Sequence, residues 1–185
     1  KNPLLQQVRK LLSSKKYRME TGLFVADGTK LLQEALRWWD DVETVILSDG
    51  VQAEVPHHVR LVRVPEDVME SISPMQSPQG ALFLCRLPEK TKFQPKPGML
   101  ILDGIQDPGN LGTILRTAEG AGVTGIIMSR DCVDLYNPKV IRSTMGSVYR
   151  VPHFYTEDLC GVIDELKAKG INVYAAALDS SEIYD

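Results

Sequence analysis

The chain predicts an α/β fold in two parts, a small N-terminal αβα layer followed by a C-terminal parallel sheet. Three features support this. From residue 99 onward, strand-sized apolar runs alternate with segments of helical period. Before it, β-branched runs at 42–47 and 59–64 lie among amphipathic helical patterns. Between the two, residues 90–97 (KTKFQPKP) have no apolar period and two prolines, so they read as a linker joining an N-terminal domain, 1–89, to a C-terminal domain, 98–185.

Pro3 suits a first helical turn, and Leu4, Leu5, Val8, Leu11 and Leu12 fall on one face of the helix it opens. Residues 13–18 (SSKKYR) read as a polar, basic loop whose Tyr17 is a stacking candidate. A strand at 23–26, a turn and cap at Asp27-Gly28-Thr29, and a helix burying Leu31, Leu32, Ala35, Leu36 and Trp39 come next, with Trp38 partly exposed. The strands at 42–47 and 59–64 flank a loop holding His57 and His58, which lack a third metal ligand nearby. A short helix at 65–72 and a strand at 80–86 complete the layer.

Residues 99–105 are apolar apart from Asp103 and suit a buried strand. Gln106 to Asn110 supply turn residues, and Leu111, Ile114, Leu115 and Ala118 resume at helical spacing. A polar loop at the carboxyl end of a strand faces the edge where open α/β sheets bind ligands, which directs Asp107, Asn110 and Arg116 toward a site. The plainer alternative makes Asn110 a helix cap and Arg116 a solvated side chain. Gly109, Gly120 and Gly122 suit turn and helix-end roles. Beyond them we expect a strand at 125–129, a helix from Asn137 to Thr144 and a strand at 150–154. A helix at 157–169 with Leu159, Val162, Ile163 and Leu166 inward and a strand at 171–178 follow.

No hydrophobic run reaches 18 residues and the N-terminus does not resemble a signal peptide, so the expectation is a soluble, cytoplasmic protein with no membrane partner. Cys85, Cys132 and Cys160 are widely spaced and read as buried free thiols, with no metal. The net charge of −3 argues against nucleic acid, but its distribution does not: Lys1, Arg9, Lys10, Lys15, Lys16 and Arg18 all precede the first acidic residue, Glu20. Such a cluster can neutralise phosphates on an acidic protein, a solvated helix end being the alternative.

The string DGIQDPGNLGTILRTAEGAG resembles the first motif of the SpoU/TrmH family of RNA ribose 2′-O-methyltransferases, members of the SPOUT class with a trefoil-knotted C-terminal fold. NPKVIRSTMGSVYRVP resembles the second motif, with Thr144 where relatives often carry Ser. KKYRMETGLFVADG and SPQGALFLC are similar to the family's N-terminal substrate-binding domain, itself like small RNA-binding ribosomal proteins. Relatives often have Glu-Gly where this chain has Asp27-Gly28. The resemblance implies S-adenosylmethionine as cofactor, RNA and most readily rRNA as partner, and a homodimer through the C-terminal domain. It implies Arg116 as catalytic residue with Asn110 as its site partner, and Thr144, Gly146, Ala177 and Leu178 beside the cofactor. Lys15, Lys16, Arg18 and Arg142 are the expected RNA contacts, with a salt-bridging role as the alternative for Arg142. Arg116 would grip a phosphate and stabilise the developing alkoxide, and proton removal by it or by solvent stays open.

VYAAALDSSEIYD resembles the approach to the third motif, and the sequence stops at Asp185 before the Gly-Asn-Glu turn and Ser-Leu-Asn helix start of relatives. The expectation is a methyltransferase domain truncated at its C-terminus with an incomplete knot; a molecule that truly stopped at Asp185 would be expected to bind no S-adenosylmethionine and transfer no methyl group. Two other readings are a non-catalytic RNA-binding module on the same fold and a Rossmann-type dinucleotide-binding domain. Against the second, Gly109-Asn110-Leu111-Gly112 lacks the G-x-G-x-x-G spacing, although Asp131 stands where an acidic ribose partner would.

Overall fold

The computed structural model describes residues 2–88 and 93–176. Its first sheet is built from β1 (Leu23–Asp27), β2 (Val42–Ser48), β3 (Arg60–Val64) and β4 (Ala81–Arg86) in the order β1-β4-β2-β3, with β4 antiparallel to both neighbours and β2 parallel to β3. The helices α1 (Pro3–Ser13), α2 (Lys15–Thr21), α3 (Thr29–Trp38) and α4 (Glu66–Ile72) belong to the same part. The second sheet holds β5 (Met99–Leu102), β6 (Gly125–Ser129) and β7 (His153–Thr156), all parallel and in chain order. Its helices are α5 (Pro108–Gly120), α6 (Pro138–Ser143) and α7 (Leu159–Ala168), with a 3-10 turn at Ser147–Tyr149.

The α/β class and the parallel C-terminal sheet agree with the sequence reading, and several elements differ. Residues 15–21 form a helix where a basic loop was expected, because the Ser14 side chain accepts a hydrogen bond from Tyr17 N and caps a new start, while Gly22 at φ +67° ends it. Residues 171–176 form no strand. Helix α7 accordingly buries only Leu166 of its four apolar residues, since no described strand pairs with the outer edge of β7 beside it. The strand expected at 150–154 is found at His153–Thr156, residues 150–152 leading out of the 3-10 turn that ends at Tyr149. Cys85 and Cys132 are buried, but Cys160 is exposed on the outer side of α7.

Strand alternation sorts the first sheet's side chains into two layers. Leu23, Val25, Ile46, Leu82 and Leu84 join a core with Val8 and Leu11 of α1 and Met69 and Ile72 of α4. Phe24, Ala26, Val45, Leu47, Phe83 and Cys85 face the other way, into a core that also contains Leu111, Leu115, Val140, Val148 and Tyr149. One apolar cluster therefore spans both sheets. Three ion pairs ring it: Arg18–Asp134, Asp27–Arg142 and Glu34–Arg150, each with one partner on either side of residues 89–92.

Helices α5 and α6 touch through Gly112. A Cβ there would lie 2.8 Å from the Ser143 carbonyl carbon and 1.7 Å from its Oγ, and that hydroxyl donates to Pro108 O at 3.1 Å. Gly112→Ala gains about 1 kcal/mol of helix propensity but must force backbone apart, at about 1–3 kcal/mol. We expect a lower urea midpoint with an unchanged slope, and a midpoint that rises would show that the helices can separate freely.

Asp27 generates a second expectation. Burial pushes its carboxyl above the ordinary value of 3.8, outweighing the hydrogen bond from Ser73 Oγ at 3.1 Å and the charge of Arg142 at 3.6 Å. The folded protein thus holds this proton more tightly than the unfolded chain does. The stabilising contribution is complete below the unfolded pKa and fades as pH rises through the folded one. Asp27→Asn removes that dependence, so denaturation at stepped pH should show the variant gaining on the parent as pH rises above the ordinary carboxyl value of 3.8. A constant difference would contradict this.

Candidate active site

The site is assembled at the carboxyl edge of the second sheet. After β5 the chain turns through a loop tied to the end of β6: Gly104 N donates to Ser129 Oγ at 2.9 Å, Gln106 Nε2 to Asp131 O at 2.8 Å, and Val133 N to Ile105 O at 2.8 Å. Asp107 then caps α5, its Oδ1 accepting from Asn110 N at 2.7 Å, and Pro108 occupies the first turn, where a missing N–H costs nothing. The cap is Asp107, so the Asn110 side chain is left to other work.

Along α5, Leu111, Gly112, Leu115 and Ala118 are buried, whereas Asn110, Thr113 and Arg116 are exposed. Six residues of helix separate Asn110 from Arg116 by roughly 9 Å along the axis and about 120° around it, so they are not in contact. Thr113 stands between them at i, i+3 spacing and links them into one exposed row, a member that the sequence reading missed. Among the described residues no ion pair or hydrogen bond engages the Arg116 side chain.

The other expected positions fare differently. Thr144 is fully buried and its hydroxyl donates to Ile141 O at 2.6 Å, which leaves no donor for a ligand. Gly146, at φ +96°, has Glu34 against it: a Cβ would lie 3.0 Å from Glu34 Cγ, so the close approach that this glycine permits is made by α3. The Thr144 hydroxyl and the open face of Gly146 are thus both turned to other residues of this chain. Ala177 and Leu178 lie outside the described residues.

Of the RNA contacts, Lys15 and Lys16 are exposed, Lys16 in a loose pair with Glu20 at 3.7 Å. Arg18 is a correction. It is 4% exposed, donating to Leu11 O at 2.6 Å and to Asp134 Oδ2 at 2.7 Å, because the helix that replaces the expected loop turns it inward. Arg142 takes the salt-bridging role through Asp27. Tyr17 is half-buried with Lys10 over its ring at 5.4 Å, and so is not an open stacking surface. A cleft of about 810 Å³ runs beside β7, lined in part by Trp39, Phe93, Tyr136, His153 and Tyr155, and includes neither Asn110 nor Arg116.

A second group, which no local pattern announces, lies at the far end of α5. Glu119 accepts from Arg150 through both carboxylate oxygens and from Ser147 Oγ at 2.7 Å, and Arg150 also pairs with Glu34. The partners are 28 to 116 residues apart, beyond the reach of periodicity or spacing.

The profile of the SpoU rRNA Methylase family matches residues 97–185, and that of the MRM3-like substrate binding domain matches residues 2–82. The chain is 32% identical over 177 residues to the 23S rRNA (guanosine(2553)-2′-O)-methyltransferase RlmP of Bacillus subtilis, covering 95% of this chain and 71% of that protein. It is 35% identical to the mitochondrial rRNA methyltransferase 3 of Xenopus tropicalis, spanning 93% of this chain and 44% of that one. A solved TrmH-family structure from Porphyromonas gingivalis superposes with a TM-score of 0.86 at 30% identity, over 95% of this chain and 70% of the other. The AdoMet-bound rRNA methyltransferase of Sinorhizobium meliloti superposes with a TM-score of 0.75 at 30% identity, over 89% and 66%. Two matching profiles in tandem, relatives at this identity and a shared fold place the chain: it belongs to the SpoU rRNA methylase family.

Proposed function

We propose that this chain carries the site of an S-adenosylmethionine-dependent transfer to a ribose 2′-hydroxyl of rRNA, with Arg116 as the catalytic residue and Asn110 as its partner. The observation that carries the assignment is the unpaired, exposed Arg116 on the same helix as Asn110, a helix that opens at the carboxyl edge of a parallel sheet. S-adenosylmethionine, when bound, supplies a methyl group on a sulfonium. The protein's task is then to place the ribose oxygen and to stabilise it as its proton leaves.

An arginine is a poor base at neutral pH, since its pKa exceeds about 12. Its planar guanidinium is suited instead to holding a phosphate by two parallel hydrogen bonds while a remaining N–H meets the developing alkoxide. Asn110 offers a donor and an acceptor in one amide and orients the ribose. Residues 1–89 serve as the RNA-binding domain, 90–97 as linker and 98–185 as the methyltransferase domain. A cytoplasmic homodimer through the C-terminal part is the form we propose, supported by the apolar exposure of Met145 (55%) and Tyr174 (88%) there. Among the described residues no helix is long and apolar enough to cross a membrane.

Arg116→Lys keeps a charge and loses the fork, so methyl transfer to rRNA in the full protein should fall by about 100-fold or more, with circular dichroism unchanged. Near-parent turnover would overturn the role of Arg116. Replacing Lys15 and Lys16 together by alanine should weaken RNA binding and reduce the slope of log affinity against log salt by about 1 to 2, because fewer counterions are released. An unchanged slope would move the RNA to another face.

A further inference from the structure

On α5 the i, i+3 row of the exposed Asn110, Thr113 and Arg116 continues to the partly buried Glu119. An arginine and a glutamate at that spacing are within reach of each other and commonly pair. Here Glu119 is already taken. Arg150 engages both of its oxygens, with Nη2 to Oε2 at 3.1 Å and Nε to Oε1, and Ser147 donates to Oε2 at 2.7 Å. The bond from Arg150 holds the Glu119 carboxyl below its ordinary range, so the carboxylate is anionic at neutral pH and would attract any free guanidinium.

We propose that Arg150 and Ser147 sequester Glu119 and thereby keep Arg116 free for the RNA, which makes Arg150 a positioning residue for methyl transfer. The inference rests on the catalytic role given to Arg116 above. The clamp is closed from the N-terminal half, since Arg150 Nη1 pairs with Glu34 of α3, and Gly146, where a Cβ would lie 3.0 Å from Glu34 Cγ and 3.2 Å from Arg150 Nη1, leaves room for the pair. Seating of the substrate-binding half and availability of Arg116 are thus linked through one guanidinium.

The test compares the full protein with Arg150→Met, Arg150→Lys, Arg116→Lys and the double variant Arg150→Met with Glu119→Gln, in steady-state methylation of rRNA. Arg150→Met should lower kcat by about 10-fold or more while KM for RNA changes less than about threefold, since the liberated carboxylate captures Arg116. Arg150→Lys, which can occupy one oxygen only, should fall between parent and Arg150→Met. The double variant should recover to within about threefold of the parent, because a neutral amide cannot compete for the guanidinium. A role confined to stability predicts the reverse, the double variant being no better than the single, and that result would overturn the proposal. Should Arg150→Met fail to fold, Arg150→Lys with and without Glu119→Gln asks the same question of a charge-conserving background. If Arg150→Met is as active as the parent while Arg116→Lys is inactive, this inference fails and the role of Arg116 stands. If Arg116→Lys is active as well, the underlying assignment fails.

Discussion

The structure depends on one apolar face that its own domain only half covers. Phe24, Ala26, Val45, Leu47 and Phe83 emerge from the first sheet on the side away from α1 and α4, and α3 shields only part of them. The rest of the cover comes from Leu111 and Leu115 of α5 and from Val148 and Tyr149 after α6. Each such large side chain contributes about 1.5 to 3 kcal/mol when fully buried, so separating the halves would expose a strongly unfavourable surface. Aromatic contacts reinforce the seam. Phe24 lies 4.9 Å from Tyr136 and Trp39 lies 5.5 Å from Tyr149 between ring centroids, the second pair edge to face.

Helix α5 consequently has two duties. Its inner face belongs to the shared core, which fixes its position, and its outer face carries the residues assigned to chemistry. Charge at the seam is arranged around the same helix. Arg18, Arg142 and Arg150 each meet a carboxylate across the join, and the first of these pairs is buried. Removing one partner of such a pair leaves a charge without solvent or counter-charge, a larger loss than the pair's own net contribution. Arg116 differs from these three because it has no such structural duty, and an arginine without one is available to an anionic substrate.

Local patterns carried much of this. Pro3 marked the start of α1 and Asn137 that of α6, whereas Asp107 and Pro108, which open α5, read in the sequence as turn residues; the apolar periods of α1 and α3 match their buried faces. The reading of residues 13–18 failed because Ser14, which in a polar run suggests a loop, serves as the N-cap of a helix that Gly22 ends. That single difference turned Arg18 from a surface cation into a buried one. The packing at Gly112 and Gly146 was not legible for a related reason: the space that a glycine leaves is defined by its neighbours in three dimensions, Ser143 for one and Glu34 for the other.

The sequence by itself determined the α/β class, the parallel C-terminal sheet and the family, and it supplied the proposal for Asn110 and Arg116, because helix and strand periods, caps and a dense motif are all encoded within about 20 consecutive residues. Only the tertiary structure decided which arginines are free. A guanidinium looks the same in the sequence whether it faces water or a carboxylate 116 residues away, and long-range pairing depends on how two sheets share one apolar layer. The assignment of Arg18, Arg142 and Arg150 to the seam, and of Arg116 to solvent, is therefore a property of packing.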